Sequence, residues 1–274
     1  MPNRRMPKWG YRGKPPRTLG TEGDIDSERL QGKHSHEEAY MLKMANFSNV
    51  PTDSLELYLD AGDPNSYTSG SSTWYDLTAN SYDYSVNSAD YNSGNGGHFV
   101  FNNGGQAQRA GDVPVNVSGT SFVVFLKWRT SNSGWRTLIR SRSYDHHVIV
   151  QSDGTALGMY DNNGGGGFQS TGYNINSFDN WNTKFNMYVW KLRNTTTRYQ
   201  CYQNKVLKAS LDSSTSSLQY GFGSIGGYHG GGTNVNENNQ QVGDIAVFMM
   251  YHKLITDAEQ AQIYDHYKSR FSLT

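Results

Sequence analysis

The C-terminal end of the chain limits the possible folds more than any other stretch. Ile245 to Tyr251 is a nearly continuous apolar run of strand length, which is typical of a strand covered on both faces. Thr256-Asp-Ala-Glu259 has the spacing of a capping box, in which the threonine hydroxyl and the glutamate carboxylate bond the first free amides of a helix. Because Ile263, Tyr267 and Phe271 recur every four residues, we expect a short helix with one apolar stripe against a sheet.

Length and composition predict the class of domain. The 274 residues include 30 glycines and 19 tyrosines but only 7 prolines, and together with many short apolar segments they predict one all-β sandwich of roughly 200–250 residues with an appendage. The formal net charge is +0 and the mean hydropathy is −0.73, so bulk charge gives no reason to expect nucleic-acid or membrane partners. No stretch approaches the ~18 apolar residues of a membrane-spanning helix.

Two features bear on the cell compartment. The positively charged start has no apolar segment behind it, so no secretory signal is predicted and the protein is expected to stay in a cytosol until lysis. Cys201 is the single cysteine and can form no internal disulfide. Its alternating neighbours predict that it is a small strand residue, so we expect packing and sheet hydrogen bonds to supply the stability.

Residues 1–50 differ from the rest and predict an extended arm that anchors the protein on a partner. Six cations precede the first acid, Glu22, and four of the seven prolines lie in the same stretch, so it cannot bury enough apolar area to fold alone. Aromatic residues among arginines are typical of a segment that docks on a protein. A disordered basic tail and non-specific phosphate binding are the alternatives, and specific nucleic-acid recognition is not expected. The predicted contacts are Arg4, Arg5, Lys8, Trp9, Tyr11 and Arg12.

The arm also contains a helix signal. Ser35-His-Glu-Glu38 is a second capping box, which predicts a short helix over about residues 36–46. Tyr40, Met41 and Met44 would give this helix a small apolar face, and methionine side chains adapt well to irregular surfaces. Because such a face needs a partner, these three residues are predicted as further assembly contacts.

The main domain is predicted over residues 51–274, and its first segments carry a family resemblance. They read Ser54-Leu-Glu-Leu-Tyr-Leu-Asp-Ala-Gly-Asp-Pro-Asn-Ser-Tyr67, then Thr73-Trp-Tyr-Asp-Leu77, then Gly97-His-Phe-Val-Phe101. This order resembles the laminin-G-like branch of the concanavalin A-like lectin/glucanase superfamily, in particular the versions found in structural proteins of tailed bacteriophages. The resemblance implies an all-β, concanavalin A-like jelly-roll β-sandwich, here with a short C-terminal helix and an extended N-terminal arm.

The resemblance continues through the middle of the chain and covers about residues 54–271. Ser121-Phe-Val-Val-Phe-Leu-Lys-Trp128 predicts a strand that is apolar on both faces, and further short strands follow at regular spacing. The turn Gln203-Asn-Lys205 departs from the Asn-Gly hairpin usual in the family, so the lysine must tolerate a positive φ or the turn must be longer. These motifs are specific for the fold and not for a ligand.

The acidic residues lie mostly in predicted turns, where they do not form a catalytic pair. Glucanases of this superfamily place two carboxylates across the sugar, usually from one strand with a Glu-x-Asp-x-x-Glu pattern, and no segment here has that pattern. The chain also has no nucleophile elbow, phosphate loop or His-Glu-x-x-His motif. We therefore predict a protein that is not an enzyme.

A calcium ion is the one cofactor that the resemblance makes worth considering. Laminin-G-like domains often hold such an ion at one rim, and Asp153, Asp161 and Asn162 offer oxygen donors in loops of the right kind. The same residue types dominate ordinary turns, which is the competing interpretation. No other cofactor is expected.

A carbohydrate site is the second kind of ligand site considered. The apolar face of a sugar stacks on an aromatic ring while its hydroxyl groups need polar partners. Beside the glycine-rich loops over 161–167 and 226–232, the candidates are Asn132, Trp135, Tyr228 and His229. Those loops lack basic residues and a following helix, so they are not expected to bind phosphate.

These observations predict a non-enzymatic structural protein of a bacteriophage virion. The expected place is the capsid surface, where the arm would anchor a decoration protein whose lectin-like sandwich faces outward after assembly in the host cytoplasm. Its partners would be capsid or tail proteins, with self-association into a homo-oligomer left open. The alternative is a glycan-binding lectin module, or a tail or fibre adhesin that recognises host-surface carbohydrate.

Overall fold

Sixteen strands and one α-helix make up the described part of the chain. The computed structural model describes residues 49–274 without 88, 102–104, 130–134, 142–144, 152–154, 163–165, 195–198, 213–220 and 228–241. The elements are β1 (Leu55–Asp60), β2 (Thr73–Trp74), β3 (Tyr84–Asn87), β4 (Asp90–Asn92), β5 (His98–Phe101), β6 (Gln106–Val113), β7 (Thr120–Trp128), β8 (Arg136–Arg140), β9 (His146–Val150), β10 (Ala156–Asp161), β11 (Gly167–Asn174), β12 (Asn186–Leu192), β13 (Tyr199–Gln203), β14 (Val206–Leu211), β15 (Phe222–Ile225), β16 (Gly243–Tyr251) and α1 (Asp257–Phe271).

The strands form two antiparallel sheets of eight strands each. Sheet 1 has the order β14-β13-β12-β7-β16-β5-β4, and β1 also pairs with β16. Sheet 2 has the order β11-β10-β9-β8-β15-β6-β3-β2. The predicted all-β class with a C-terminal helix is therefore confirmed, whereas the finer assignment to a concanavalin A-like jelly roll stays a prediction.

The predicted central strand is β16. All nine of its residues are buried, and it pairs with β7 on one side and with β5 and β1 on the other. The first residue of the strand, Gly243, must be a glycine, because a Cβ there would lie only 2.3 Å from the carbonyl oxygen of Lys127. The apolar run that follows is buried on both faces, as the sequence predicts.

Sheet 1 has a hydrophobic core on each of its faces, and β7 contributes to both. Phe122, Val124 and Leu126 point into the core between the two sheets. Val123 and Phe125 point to the opposite face, into a second core beneath α1. The predicted strand with two apolar faces is thus confirmed, and its physical reason is that sheet 1 is covered by sheet 2 on one side and by the helix on the other.

The helix begins at the predicted capping box. Thr256 Oγ1 accepts a hydrogen bond of 3.2 Å from the amide of Glu259, and the Glu259 carboxylate accepts one of 2.8 Å from the amide of Thr256. The predicted stripe of Ile263, Tyr267 and Phe271 is buried in the core beneath the helix. Stacked and tilted rings, such as Phe125 against Phe271 at 5.0 Å, fix the helix on the sheet.

Polar side chains hold the turns of the segment Ser54–Leu77, which carries the family resemblance. The Asp76 carboxylate accepts hydrogen bonds from the amides of Tyr58 and Thr78, both at 3.0 Å, which ties β1 to the segment after β2. Ser66 Oγ accepts from the amide of Asp60 at 3.1 Å and donates to a backbone carbonyl at 2.6 Å. Since these side chains satisfy the backbone of the fold itself, the motif specifies structure rather than a ligand.

The sequence left two alternatives for the hairpin between β13 and β14, a positive φ at the lysine or a longer turn, and the structure has the positive φ. Asn204 and Lys205 have φ values of 47° and 72°, which is the pattern of a two-residue type I′ turn. The Lys205 ammonium lies 4.0 Å from the centre of the Tyr264 ring, a cation–π contact that helps to hold the turn. Cys201, next to this hairpin, is a buried free thiol whose pKa is raised by burial.

The arm over residues 1–50 lies almost entirely outside the described residues. This applies to the predicted helix over 36–46 and to the assembly contacts Arg4, Arg5, Lys8, Trp9, Tyr11, Arg12, Tyr40, Met41 and Met44. Everything described above belongs to the compact unit Asn46–Thr274. Within the described residues, no helix combines the length and the apolar character that crossing a membrane requires.

Candidate functional site

A row of directly opposed side chains crosses seven strands of sheet 2. Residues that oppose each other in neighbouring strands lie on the same face of a sheet. The adjacent row, which includes Ala107, Ile139 and Val148, belongs to the core between the sheets, so this row lies on the outer face. We call it the outer row, and it consists of Ser85, Gln108, Ser224, Arg140, His146, Tyr160 and Phe168.

The middle of the outer row is polar and buried. Arg140, His146 and Ser224 expose only 3%, 5% and 0% of their surface. Thr137 lies on the same face, and its hydroxyl shares a hydrogen bond of 2.7 Å with Nδ1 of His146. Ser224 Oγ donates to the carbonyl of Gly227 at 2.8 Å. Hydrogen bonds of this kind fix side-chain orientations, because a buried polar group is costly to leave unpaired.

Two basic side chains on sheet 2, those of His146 and Arg136, have lowered pKa values. Burial, followed by the charges of Arg140 and His147, lowers the pKa of His146 well below its usual range, so its imidazole is neutral at physiological pH. Burial also lowers the pKa of Arg136 to about 10. The site therefore contains a neutral imidazole that can both donate and accept a hydrogen bond.

One end of the outer row forms an aromatic patch. The ring of Trp135 stands at 88° to that of Tyr160 and at 65° to that of Phe168, with 5.3 Å between centroids in both cases. His146 meets Tyr160 edge-on at 5.9 Å. We define Trp135, Tyr160 and Phe168 as the aromatic patch, and all three side chains are half-buried. A partly exposed group of rings can offer a face to an apolar surface of a ligand.

A glycine makes room for the patch. A Cβ at Gly158 would lie 2.2 Å from the carbonyl oxygen of Gln169 and 2.7 Å from the ring of Phe168. Phe168 can therefore lie flat over the backbone of β10 only because position 158 has no side chain.

Acidic and amide side chains border the patch at the end of β10. Asp161 is buried with 3% of its surface exposed, and Asp145 with 4%. The amide of Asn162 donates to the Asp145 carboxylate at 2.9 Å. A Cβ at Gly166 would lie 3.1 Å from Oδ2 of Asp161 and 3.0 Å from Nε2 of Gln169. Asp161 and Gln169 alternate with Tyr160 and Phe168 along their strands and so point to the opposite face of the sheet. Asn162, which is exposed at the end of β10, is the amide residue that a sugar on the patch could use.

The predicted sugar residues are only partly within the described region. Trp135 is at the centre of the aromatic patch, whereas Asn132, Tyr228 and His229 lie outside the described residues. Of the predicted calcium ligands, Asp161 and Asn162 lie beside the patch and Asp153 is outside the described region. The described residues contain no group of three or more His, Cys, Asp or Glu side chains that could hold a metal ion.

Three residues of the site were not found from the sequence. His146 and Tyr160 stand in or next to segments that the sequence predicts as strands, whereas the strand of Phe168 was not predicted. No sequence pattern indicates the register between β9, β10 and β11. The signal that could have found them is the Gly158 position, since a glycine inside a strand pattern indicates a close approach by another group.

Comparison with solved structures places the sandwich among known folds. Trypanosoma rangeli sialidase in complex with sialic acid is similar over 88% of this chain and 39% of the sialidase chain, with 14% identity and a TM-score of 0.60. The binding domain of Botulinum neurotoxin serotype D is similar over 78% of this chain and 51% of its own, with 13% identity and a TM-score of 0.55. At such identities the likeness shows a shared all-β fold, and this chain spans well under two thirds of either protein.

No protein-family model matches the chain, and no curated protein sequence matches it. The class that the fold and the site define is an antiparallel β-sandwich with a helix on one outer face and a row of polar and aromatic groups on the other.

Proposed function

We propose that this protein is a non-enzymatic structural component of a tailed-bacteriophage virion, anchored on the capsid surface by its N-terminal arm, with a lectin-like sandwich facing outward. The observation that carries the proposal is that the two outer faces of the sandwich differ in what covers them. The chain's own helix covers sheet 1, while sheet 2 carries the half-buried aromatic patch beside polar groups. The middle of the outer row is buried, so the partly exposed aromatic patch is the part of sheet 2 that is suited to contact a second molecule.

The virion assignment is supported by the sequence. The motifs over residues 54–77 resemble laminin-G-like domains of phage structural proteins, and their polar side chains serve the fold, so they are compatible with a display module. The basic, proline-rich arm supplies charge and aromatic groups for docking on a capsid protein. A tail or fibre position is the nearby alternative, because the same arm could dock there.

The anchoring role is tested with the full-length chain and purified phage particles that lack this protein. The arm variant replaces Arg4, Arg5 and Arg12 with glutamine. The matched control replaces Lys184, Lys205 and Lys268, three exposed sandwich lysines, and so loses the same charge. We expect co-sedimentation with the particles to fall at least tenfold for the arm variant only. Equal binding by both variants would show that the sandwich makes the contact and that the anchoring proposal is wrong.

Carbohydrate binding is the second candidate function, and the aromatic patch favours it. A sugar ring stacked on Trp135 would have the exposed side chain of Asn162, at the end of β10, as a hydrogen-bonding partner. The binding domain of the neurotoxin shares the fold, which is compatible with a binding role without showing one. A phage decoration protein that also touches host-surface glycans would satisfy both proposals.

A glycan array followed by titration of any bound glycan tests this role. We expect Trp135→Ala to weaken binding by about 2 kcal/mol, or about thirtyfold, as for a central aromatic contact. Tyr75→Ala is the matched control, because Tyr75 is an aromatic side chain with 47% exposure outside the patch. If no glycan binds, or if both variants bind equally well, the patch is not a sugar site and the display role stands without it.

A further inference from the structure

A polar groove lies at the end of sheet 1 where β12 begins and the β13–β14 hairpin turns, and it shares no lining residue with the aromatic patch. It has a volume of about 330 Å³, near the lower end of the range for small-ligand sites. Its walls come from three places: the turn before β12, the β13–β14 hairpin and the residues that follow α1. The lining includes Asp179, Lys184, Asn186, Gln203, Asn204 and Val206.

The amide side chains of the groove are held in fixed orientations. The side chain of Gln203 binds both backbone groups of Asp179. Its Nε2 donates to the carbonyl of Asp179 at 2.6 Å, and its Oε1 accepts from the backbone amide of Asp179 at 3.0 Å. Asn204 Nδ2 donates to Oδ1 of Asn186 at 2.9 Å, and its own Oδ1 accepts from the amide of Met187 at 3.0 Å. Gln203 and Asn186 expose only 2% and 4% of their surface, whereas Asn204 is partly exposed. The Oδ1 atom of Asn204 has a second lone pair, so the groove presents an acceptor that loses little freedom when a ligand binds.

The charges at the groove nearly cancel. Lys208 pairs with Asp179 at 2.8 Å, and Lys184 adds one exposed ammonium that solvent screens. With a single carboxylate in the lining, the groove does not suit a metal ion. One screened cation is also a weak basis for binding a phosphate group.

Apolar groups complete the lining. Val206 exposes 56% of its surface at the groove, whereas Leu273 and Phe185, in the same lining, are buried with 4% exposed each. A pyranose ring has both hydroxyl groups for amide partners and an apolar C–H face for such side chains. We propose that this groove is a second binding site, for a neutral polyhydroxyl ligand of one or two pyranose rings. It is independent of the aromatic patch, because the groove lies on sheet 1 and the patch on sheet 2.

Ligand-observed saturation-transfer NMR on the full-length protein tests the groove. The probes are glucose, galactose, mannose, N-acetylglucosamine and, as an anionic comparison, glucuronic acid. Val206→Trp would fill the groove, and Leu207→Trp is the matched control, since Leu207 is the next residue, is 48% exposed and does not line the groove. We expect the affinity for a neutral sugar to fall at least tenfold in Val206→Trp and to stay unchanged in both Leu207→Trp and Trp135→Ala.

Amide chemical shifts of the unsubstituted protein give a second readout that needs no variant. A bound neutral sugar should shift the signals of Asn180, Gln203, Asn204 and Ser272, which line the groove. The proposal is overturned if those signals do not move, if Val206→Trp and Leu207→Trp bind alike, or if glucuronic acid alone binds. Shifts confined to Tyr160 and Phe168 would leave the aromatic patch as a site and refute the groove. Shifts confined to the groove residues would support the groove and refute the aromatic patch.

Discussion

Arg270, in the last turn of α1, binds the carboxylate of Asp60 at the end of β1. Its Nη1 lies 2.7 Å from Oδ1 and 2.9 Å from Oδ2 of Asp60. The same guanidinium donates to the carbonyls of Asn95 and Gly97 at 3.0 Å and 2.9 Å. The hydroxyl of Tyr267 also donates to Asp60, at 2.9 Å. One arginine thus joins the C-terminal helix to the first strand and to the turn before β5.

Replacing Arg270 with methionine should destabilise the sandwich by about 2–3 kcal/mol. The substitution leaves the Asp60 carboxylate, whose side chain is only 8% exposed, without its cation, and an uncompensated charge at a buried site is costly. Urea unfolding followed by tryptophan fluorescence measures the change. Lys268→Met is the control, since Lys268 is exposed on the same helix, and a comparable loss there would contradict the pairing as the cause.

Removing the helix cap should cost about 1 kcal/mol. Thr256→Ala deletes the hydroxyl that accepts from the amide of Glu259 and leaves that amide without its partner. We expect a lower urea midpoint with an unchanged slope, because the folded structure buries the same surface. Ser269→Ala, at an exposed position near the other end of the helix, should change the midpoint little. Equal effects at both positions would contradict a capping role.

Stability should fall as the pH drops below about 6.5, the ordinary pKa of histidine. Burial, Arg140 and His147 lower the pKa of His146 in the folded protein, so below that pH the unfolded chain binds more protons than the folded one. The stabilisation is complete above pH 6.5 and is lost progressively in more acidic solution. Unfolding free energies at pH 7.5 and 5.5 should therefore differ less in His146→Gln than in the unsubstituted protein.

The pKa values of His98 and His266 are also lowered by burial, so some pH dependence should persist in that variant. His252→Gln is a suitable control, because His252 is a partly exposed residue that follows β16 of sheet 1 and contacts Glu56. The same pH dependence in His146→Gln as in the unsubstituted protein would mean that His146 does not titrate as described.

A methyl group at position 158 should disturb the aromatic patch. In Gly158→Ala the new Cβ would meet the carbonyl oxygen of Gln169 and the ring of Phe168 at 2.2 Å and 2.7 Å, so the β10–β11 pair must move apart. We expect a loss of about 1–3 kcal/mol of stability together with weaker binding of any glycan that the patch binds. Gly111→Ala is the control, because its Cβ would approach no atom closer than 3.8 Å. A neutral Gly158→Ala would refute the close packing of Phe168.

Local sequence patterns determined much of the fold. The buried strand β16 and the capping box at Thr256 were predicted, because each depends on residues within a few positions of one another. For the turn at Lys205 the sequence left a positive φ or a longer turn as alternatives. The motifs from Ser54 to Leu77 predicted a β-sandwich through their resemblance to laminin-G-like domains rather than through local spacing. The bond from the amide of Asp60 to Ser66 is local, whereas the one from the amide of Tyr58 to Asp76 joins residues 18 positions apart.

The candidate site depended on the tertiary structure. Trp135 could be named as an aromatic residue on a loop, but its contacts with Tyr160 and Phe168 follow from the register of β10 against β11, which a one-residue shift would reverse. The groove depends in the same way on bringing the hairpin at Asn204 to the end of α1. The sequence by itself determined which segments are strands, which is the helix and where the turns lie. Only the tertiary structure decided which side chains share a face, because that depends on pairings between distant segments.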